Sequence, residues 1–419
     1  MLQFSIARKE ITPSFSFVQQ GFAARKDPWT SIHDPLFATV CVWKAEQSLL
    51  IATFDLVSGT EDFSERLYAL LHDKFDIPRA NIILSYTHTH SALGANPLSE
   101  NADIQRYSLS LVETVCALTA ECLSTLKPCT LSVCRAESSF GISRRFPSSN
   151  GILWKPYPDP TAADPTLYLL KITDNAGTPV CLIYQYGCHA TACGPSNLAI
   201  SADFPGAVRY YLEKKNPGCT VMFLQGCGAD EKPVISSDGE RFISLQAEEM
   251  WEKTKVFADE IEDRFQNGKW REVEVRIEAK EVSVTLPCER WEREQWEAIA
   301  NNPSEPLYRR NAAQKAVNKL EQGLLTDGLS YTIRNISMGD DLRWICLENE
   351  VVNGYAKKIR RRLHGDILVL GYTGKICCYI PTAQIAAEGG YERNTFIAAG
   401  TKGPFLPETE EVILCAATK

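Results

Sequence analysis

Short apolar runs, each too brief for a helix and rich in β-branched or aromatic residues, recur from early in the chain: Phe37 to Trp43 (FATVCVW), Leu49 to Leu56 (LLIATFDL), Asn81 to Tyr86 (NIILSY), Pro179 to Tyr186 (PVCLIYQY) and Thr220 to Leu224 (TVMFL). Such runs read as buried strands. Between them, Asp62 to Phe75 carries leucines at helical spacing and Ile104 to Leu126 is a long amphipathic stretch. A further helix opens at Pro205, a residue suited to a first helical turn. The alternation predicts an α/β (mixed α+β) architecture, mixed β-sheets flanked by helices. The later strands run into Gly, Cys, His or Asp. Ligands in layered sheet proteins are met where strands end, so these junctions are where chemistry is expected.

With 419 residues, 44% of them hydrophobic, the chain can bury a large core. Its 44 Lys+Arg against 52 Asp+Glu leave a formal charge of -8 with no basic stripe, which argues against a nucleic-acid partner. Arg8, Lys9 and Glu10 fall where a secretory leader needs an unbroken apolar core, so no export signal is expected. No apolar run reaches the roughly 20 residues of a membrane-spanning helix. The 15 cysteines, an odd number without CxxC spacing, read as reduced, buried small hydrophobes, and the expected location is cytoplasmic.

From Gln246 to Lys319 the chain turns charged and helical, with Trp251, Trp270, Trp291 and Trp296 among acidic and basic residues. This predicts a helical insertion around residues 246–325. A hairpin-like stretch over 331–350, a helix from about Val351 to Leu363 and a strand from Ile367 to Leu370 follow. Without repeats, Pro-rich linkers or low-complexity blocks, residues 1–419 read as a single catalytic-type domain.

Only six histidines occur: His33, His72, His88, His90, His189 and His364. His88 and His90 sit in THTH at the end of an apolar run; on a strand they would face the same way, with Cα atoms about 7 Å apart. That spacing allows shared ligation of a metal, one ligand with a neighbouring base, or two solvent-facing residues at a strand mouth. His189 closes a second strand in YGCHATACGP. Taken alone it reads as a core histidine. Two such motifs in a chain this poor in histidine point toward a metal site, because imidazoles on neighbouring strand ends often hold zinc.

THTHS at 87–91, the His189 motif followed by Ser201, Ala202 and Asp203, FLQGCGADEKP at 223–233 and LENEVVNGYAKKIRRRL at 347–363 together resemble the N-terminal catalytic domain of neutral/alkaline (non-lysosomal) ceramidases. The order and spacing of these motifs carry the resemblance across almost the whole chain. It implies a ceramidase-like fold and a zinc ion held by His88, His189, Glu350 in LENEVV and Tyr379 in CCYIPT. It also implies a proton-shuttling or substrate-holding role for His90, and a role for Arg144 in GISRRF, with Arg145 a rival one residue away, in stabilising an oxyanion. Such a ligand set leaves a position for water or substrate, as in catalytic zinc sites. Glu350 could equally favour the start of a helix, and Tyr379 could be a core tyrosine.

The resemblance breaks at one informative point. Where the family has a serine credited with a part in amide cleavage, ADEKP puts Lys232. A serine nucleophile is not expected there, and Lys232 is a candidate for adding positive potential or binding a carboxylate or phosphate, or else a surface lysine. The chain also stops about where the family's catalytic domain ends. The expected function is a zinc-dependent amidohydrolase acting through metal-activated water on a small soluble amide or ester, most simply an N-acyl compound. The alternatives are neutral ceramidase activity on N-acylsphingosine and a non-catalytic binding protein. Asp203 and Asp230 are weaker candidates for orienting the metal-bound histidines.

Overall fold

The computed structural model describes residues Met1–Lys419. A large mixed sheet dominates it, and helices cover its outer faces. Twelve strands follow in the order Thr220–Gln225, Pro179–Tyr186, Thr166–Asp174, Lys127–Glu137, Gln3–Glu10, Phe37–Lys44, Ser48–Phe54, Ile82–Tyr86, Asp366–Thr373, Leu342–Glu348, Gly328–Met338 and Ile277–Pro287, and a short strand, Arg271–Val273, adds to Lys127–Glu137. Three neighbouring pairs are parallel: 179–186 with 220–225, 48–54 with 82–86, and 342–348 with 366–373.

The sheet folds over on itself. Cys41, Trp43, Leu49, Ile51 and Ile83 from one half meet Leu131, Leu170, Ile183, Met222 and Leu224 from the other in one buried cluster. The contact of Cys41 Sγ with Met222 Sδ at 3.9 Å marks the meeting of the two halves. On the outer faces, the helices Glu61–Phe75 and Ala102–Ser124 cover one half through Phe63, Leu67, Leu111 and Val115. The helices Asp203–Lys215 and Ala247–Asn267 cover the other through Phe204, Val208, Phe257 and Ile261. The result is helix, sheet, sheet, helix, with strands buried on both faces and therefore continuously apolar, as FATVCVW and LLIATF are.

The five strands legible as apolar runs are all present, and the helix expected to open at Pro205 begins two residues earlier, at Asp203. The stretch around 246–325 departs from a purely helical insertion. It holds the helices Ala247–Asn267, Arg293–Ala300 and Leu307–Glu321, but between them Ile277–Pro287 is an 11-residue strand paired residue for residue with Gly328–Met338. Its sequence, IEAKEVSVTLP, alternates charged and apolar residues because the strand lies at a sheet edge with one face toward water. Residues 127–174 form four further strands. All 15 cysteines are free thiols and all but Cys377 and Cys415 are buried. No helix is long and apolar enough to cross a membrane.

Candidate metal centre

Several strand ends meet at one place, and backbone hydrogen bonds stitch the loops that leave them. The ladder between Ser48–Phe54 and Ile82–Tyr86 continues past its last strand residue: Thr87 N–H donates to Phe54 C=O (2.9 Å) and His88 N–H to Leu56 C=O (3.0 Å). His90 N–H then donates to Ala190 C=O (3.2 Å), His189 N–H to Glu231 C=O (3.3 Å), Arg144 N–H to Asp230 C=O (3.0 Å), Ala229 N–H to Val351 C=O (3.1 Å) and Glu350 N–H to Cys378 C=O (3.1 Å). Every motif singled out in the sequence is thus bonded to another. Segments between Phe54 and Cys378 form one shell.

THTH is not strand. The strand ends at Tyr86, and the chain turns at His88, whose φ is 60°. The two imidazoles nevertheless converge, with Nε2 atoms 3.1 Å apart, because of that turn rather than by strand alternation. Asp203 (φ 56°), Asn349 (φ 66°) and Tyr372 (φ 54°) share the left-handed conformation, which side chains other than Gly adopt at a cost. His88 and Asn349 lie in loops, Tyr372 near a strand end and Asp203 at a helix start. Strained backbone of this kind gathers at functional sites because the surrounding structure over-determines it.

Proton placement follows from the partners of the Nδ1 atoms. His88 Nδ1 lies 2.5 Å from Val57 C=O and His189 Nδ1 lies 2.9 Å from Gly228 C=O. A carbonyl only accepts, so each Nδ1 carries the proton and each Nε2 presents a bare lone pair. Glu350 Oε2 lies 3.2 Å from His88 Nε2 and 3.1 Å from His189 Nε2, and it is buried without a hydrogen-bond donor. Tyr379 Oη is 3.1 Å from His189 Nε2. The ring nitrogens of His88, His90 and His189 offer ligand atoms all within 4.8 Å of one another.

Acceptors facing one another in a buried pocket repel unless a cation lies among them. Ligands on bonds of 2.0–2.1 Å in a tetrahedral site stand about 3.3 Å apart, close to the spacings here. The donor set therefore fits a metal ion: His88, His90 and His189 could hold one, with Glu350 Oε2 and Tyr379 Oη within 3.2 Å of their ring nitrogens. Burial lowers the pKa of His189 to about 4, with Arg144 and His88 acting in the same direction against Glu350. Burial, followed by His88 and His189, also holds His90 well below the usual imidazole range. Both are neutral at neutral pH, the form in which imidazole binds metals. Glu350 belongs to a two-residue strand paired with Tyr379–Ile380, so the helix start proposed as its alternative lies further on, at Asn353.

A cavity of about 530 Å³ opens onto His90, His189 and Tyr379 and is also lined by Arg144, Lys232 and Thr191. Trp154, Tyr308 and Tyr391, all partly exposed, form an aromatic rim. The choice between the two arginines is made by alternation along the strand Gly141–Ser148. Arg144 faces this cavity, and Ser143, Arg145 and Pro147 face a separate polar cavity on the other side. Arg144 Nε donates to Glu392 (2.9 Å), its guanidinium stacks 4.0 Å above the Trp154 ring, and its Nη2 is buried without a partner. Arg145 pairs with Glu392 and Glu388. Lys232 is not a surface residue. It is buried, Nζ donates to Thr191 O and Oγ1 (both 2.9 Å), and burial first, then Arg144, lowers its pKa to about 8.

Neither Asp203 nor Asp230 touches an imidazole; the Nδ1 partners are backbone carbonyls. Asp203 instead accepts from the N–H groups of Ala192 (3.2 Å), Cys193 (2.8 Å) and Phe204 (2.7 Å), and so fixes the loop after His189. Asp230 accepts from Asn353 N (2.7 Å) and Nδ2 (2.8 Å), tying the Lys232 segment to the helix after Glu350. Two contributors carried no signal in the sequence. Tyr372 Oη sits 3.2 Å from His189 Nδ1, and its ring centroid is 4.6 Å from that of His88. The loop around Gly21 covers His90: Phe22 meets its ring edge-on at 4.7 Å, and Arg25 donates to its carbonyl.

Gly21 has φ +98°, and a Cβ there would lie 2.3 Å from His90 Cγ and Nδ1. Gly21→Ala should therefore displace the His90 ring. For the hydrolysis proposed below, in which His90 moves the proton, a misplacement of about 1 Å can cost about 10²-fold, so the expected result is a fall in kcat of that order with an unchanged far-ultraviolet circular dichroism spectrum.

No protein-family profile matches the sequence, and no curated protein matches it. Solved structures do. Neutral ceramidase from Pseudomonas aeruginosa superposes with a TM-score of 0.77 at 17% identity, covering 100% of this chain and 73% of that one. A ceramidase complexed with C2 superposes with a TM-score of 0.74, also at 17% identity, over 100% of this chain and 74% of that one. The fold implied by four scattered motifs is the fold the chain adopts: that of the neutral ceramidases.

Proposed function

We propose that the protein is a zinc-dependent hydrolase that cleaves a carbon–nitrogen amide bond on a small soluble N-acyl substrate. The observation that carries this reading is the buried, donorless Glu350 Oε2 facing the bare imidazole nitrogens of His88 and His189, the latter lining a 530 Å³ cavity. His88, His189, Glu350 and Tyr379 would hold the ion. Bound zinc supplies Lewis acidity and makes water nucleophilic at neutral pH.

The chain's own residues account for the rest. His90 Nε2 stands 3.1 Å from His88 Nε2 and its ring lines the cavity, so it can take a proton from attacking water and return it to the leaving amine. Gly21, Phe22 and Arg25 hold that ring in place. Arg144 Nη2, buried without a partner on the cavity wall, can donate to the carbonyl oxygen as negative charge develops there. Its ion pair with Glu392 fixes the guanidinium before substrate arrives, so little reorganisation is needed during reaction. The aromatic rim of Trp154, Tyr308 and Tyr391 narrows the entrance and sheds water from the bound amide.

The test is a hydrolysis panel of acylated amines, N-acyl amino acids, esters and short- and long-chain ceramides, assayed with zinc-loaded protein. Ceramides are included because the solved neighbours are ceramidases. Turnover of a soluble N-acyl compound is expected. Zinc-loaded protein inert toward the whole panel would favour a binding role instead.

A further inference from the structure

Lys232 is a buried cation for which the protein provides no counter-charge. It is 6% exposed, and its hydrogen bonds go to Thr191 alone. An ammonium has three N–H donors, so one is left over. Asp203, the carboxylate whose field reaches it, is taken up by three backbone N–H groups and makes no ion pair with it. Arg25 is a second buried cation, hydrogen-bonded only to the carbonyls of His90, Gly194 and Pro195, and it lies outside the cavity lining. Arg144, by contrast, is paired with Glu392.

Register puts these charges to use. In the small sheet formed by Glu231–Pro233 and Gly141–Ser148, Lys232 pairs with Ile142, so Lys232 and Arg144 project from the same face into the cavity. The 13 residues that line that cavity include these two cations and no carboxylate. Burying an ammonium without an anion is costly, and the cost is recovered when a ligand brings the missing charge. One uncompensated positive charge on the wall matches a monoanion, a carboxylate, better than a phosphate dianion.

We infer that the cavity selects amides bearing a carboxylate, N-acyl amino acids and compounds like them, with the carboxylate on Lys232 and the apolar body against the aromatic rim. This rests on the proposed hydrolase reading only for where the scissile amide lies. A neutral two-chain lipid amide would leave Lys232 uncompensated, so the same feature disfavours ceramide.

Calorimetric binding of N-acetyl-phenylalanine, N-acetyl-leucine and N-acetyl-alanine, each against its neutral carboxamide, tests the assignment on zinc-loaded and zinc-free protein. At least one acid should bind about 10- to 100-fold tighter than its carboxamide, as expected for a hydrogen-bonded charge pair. The preference should persist without zinc, vanish in Lys232→Met, and return in part in Lys232→Arg. Equal binding of acids and carboxamides by the wild type, which needs no variant to fold, would overturn the assignment. So would a preference that survives Lys232→Met or requires zinc, since the carboxylate would then sit on the metal. Zinc content measured on the same samples separates the two readings: protein that takes up no zinc sinks the hydrolase, and zinc-loaded protein with no acid preference sinks only the carboxylate site.

Discussion

Metal-free protein titrated with zinc should take up one equivalent per chain and gain thermal stability, and His88→Ala or His189→Ala should abolish both the uptake and the hydrolysis. Each histidine presents one bare Nε2, held in place by an Nδ1 bond to a backbone carbonyl, so its loss removes an oriented ligand atom from the cluster. Binding at about 1,000 times the dissociation constant stabilises the folded state by about 4 kcal/mol through mass action alone. The rise in melting temperature should disappear on chelation and be absent from both variants. His90 gives the sharper contrast. If its place is beside the ion rather than on it, His90→Gln retains one zinc by elemental analysis while kcat falls by about 10²- to 10⁴-fold, the usual contribution of a positioned acid–base group. A well-folded wild type with no affinity for zinc would remove the basis of the proposal.

Arg144→Ala should lower kcat by about 10²- to 10³-fold with zinc content unchanged, the loss typical of removing one preorganised donor to an oxyanion. Arg145→Ala, one residue along, should leave kcat within about threefold, because strand alternation turns its side chain into a different cavity. Both arginines share Glu392, so each variant keeps one guanidinium on that buried carboxylate, and both should fold. Arg144→Lys keeps the charge but cannot hold Glu392 and present a second N–H to substrate at once, so it should recover only part of the rate. Equal losses in kcat from the two alanine variants would mean that the effect is structural.

Much of this was legible without coordinates, and unevenly. Strands buried on both faces announce themselves as unbroken apolar runs, and their ends announce the loops that carry His88, His189 and the ADEKP segment. Those are local signals. The strand Ile277–Pro287 gave the opposite impression, since charged residues facing water on an edge strand resemble those on a solvated helix, and only its pairing with Gly328–Met338 settles it as strand. Lys127–Glu137 is a related case: polar and apolar residues alternate along it, and its partner strands rather than intrinsic preference hold it extended.

The same division holds within the centre. The residues by themselves singled out only the two histidine motifs; Glu350 and Tyr379 entered through the resemblance to neutral ceramidases, because a carboxylate ahead of a helix and a tyrosine in an apolar run carry no ligand signal of their own. Sequence could not say that His88 turns through a left-handed backbone to meet His90, that Arg144 rather than Arg145 faces the cavity, or that Gly21, Arg25 and Tyr372 belong to the site. Nor could it say that Lys232 is buried without a counter-charge. Each of these depends on which distant segments lie against one another, a choice made by the folded sheet and its register, where a shift of one residue sends a side chain to the opposite face.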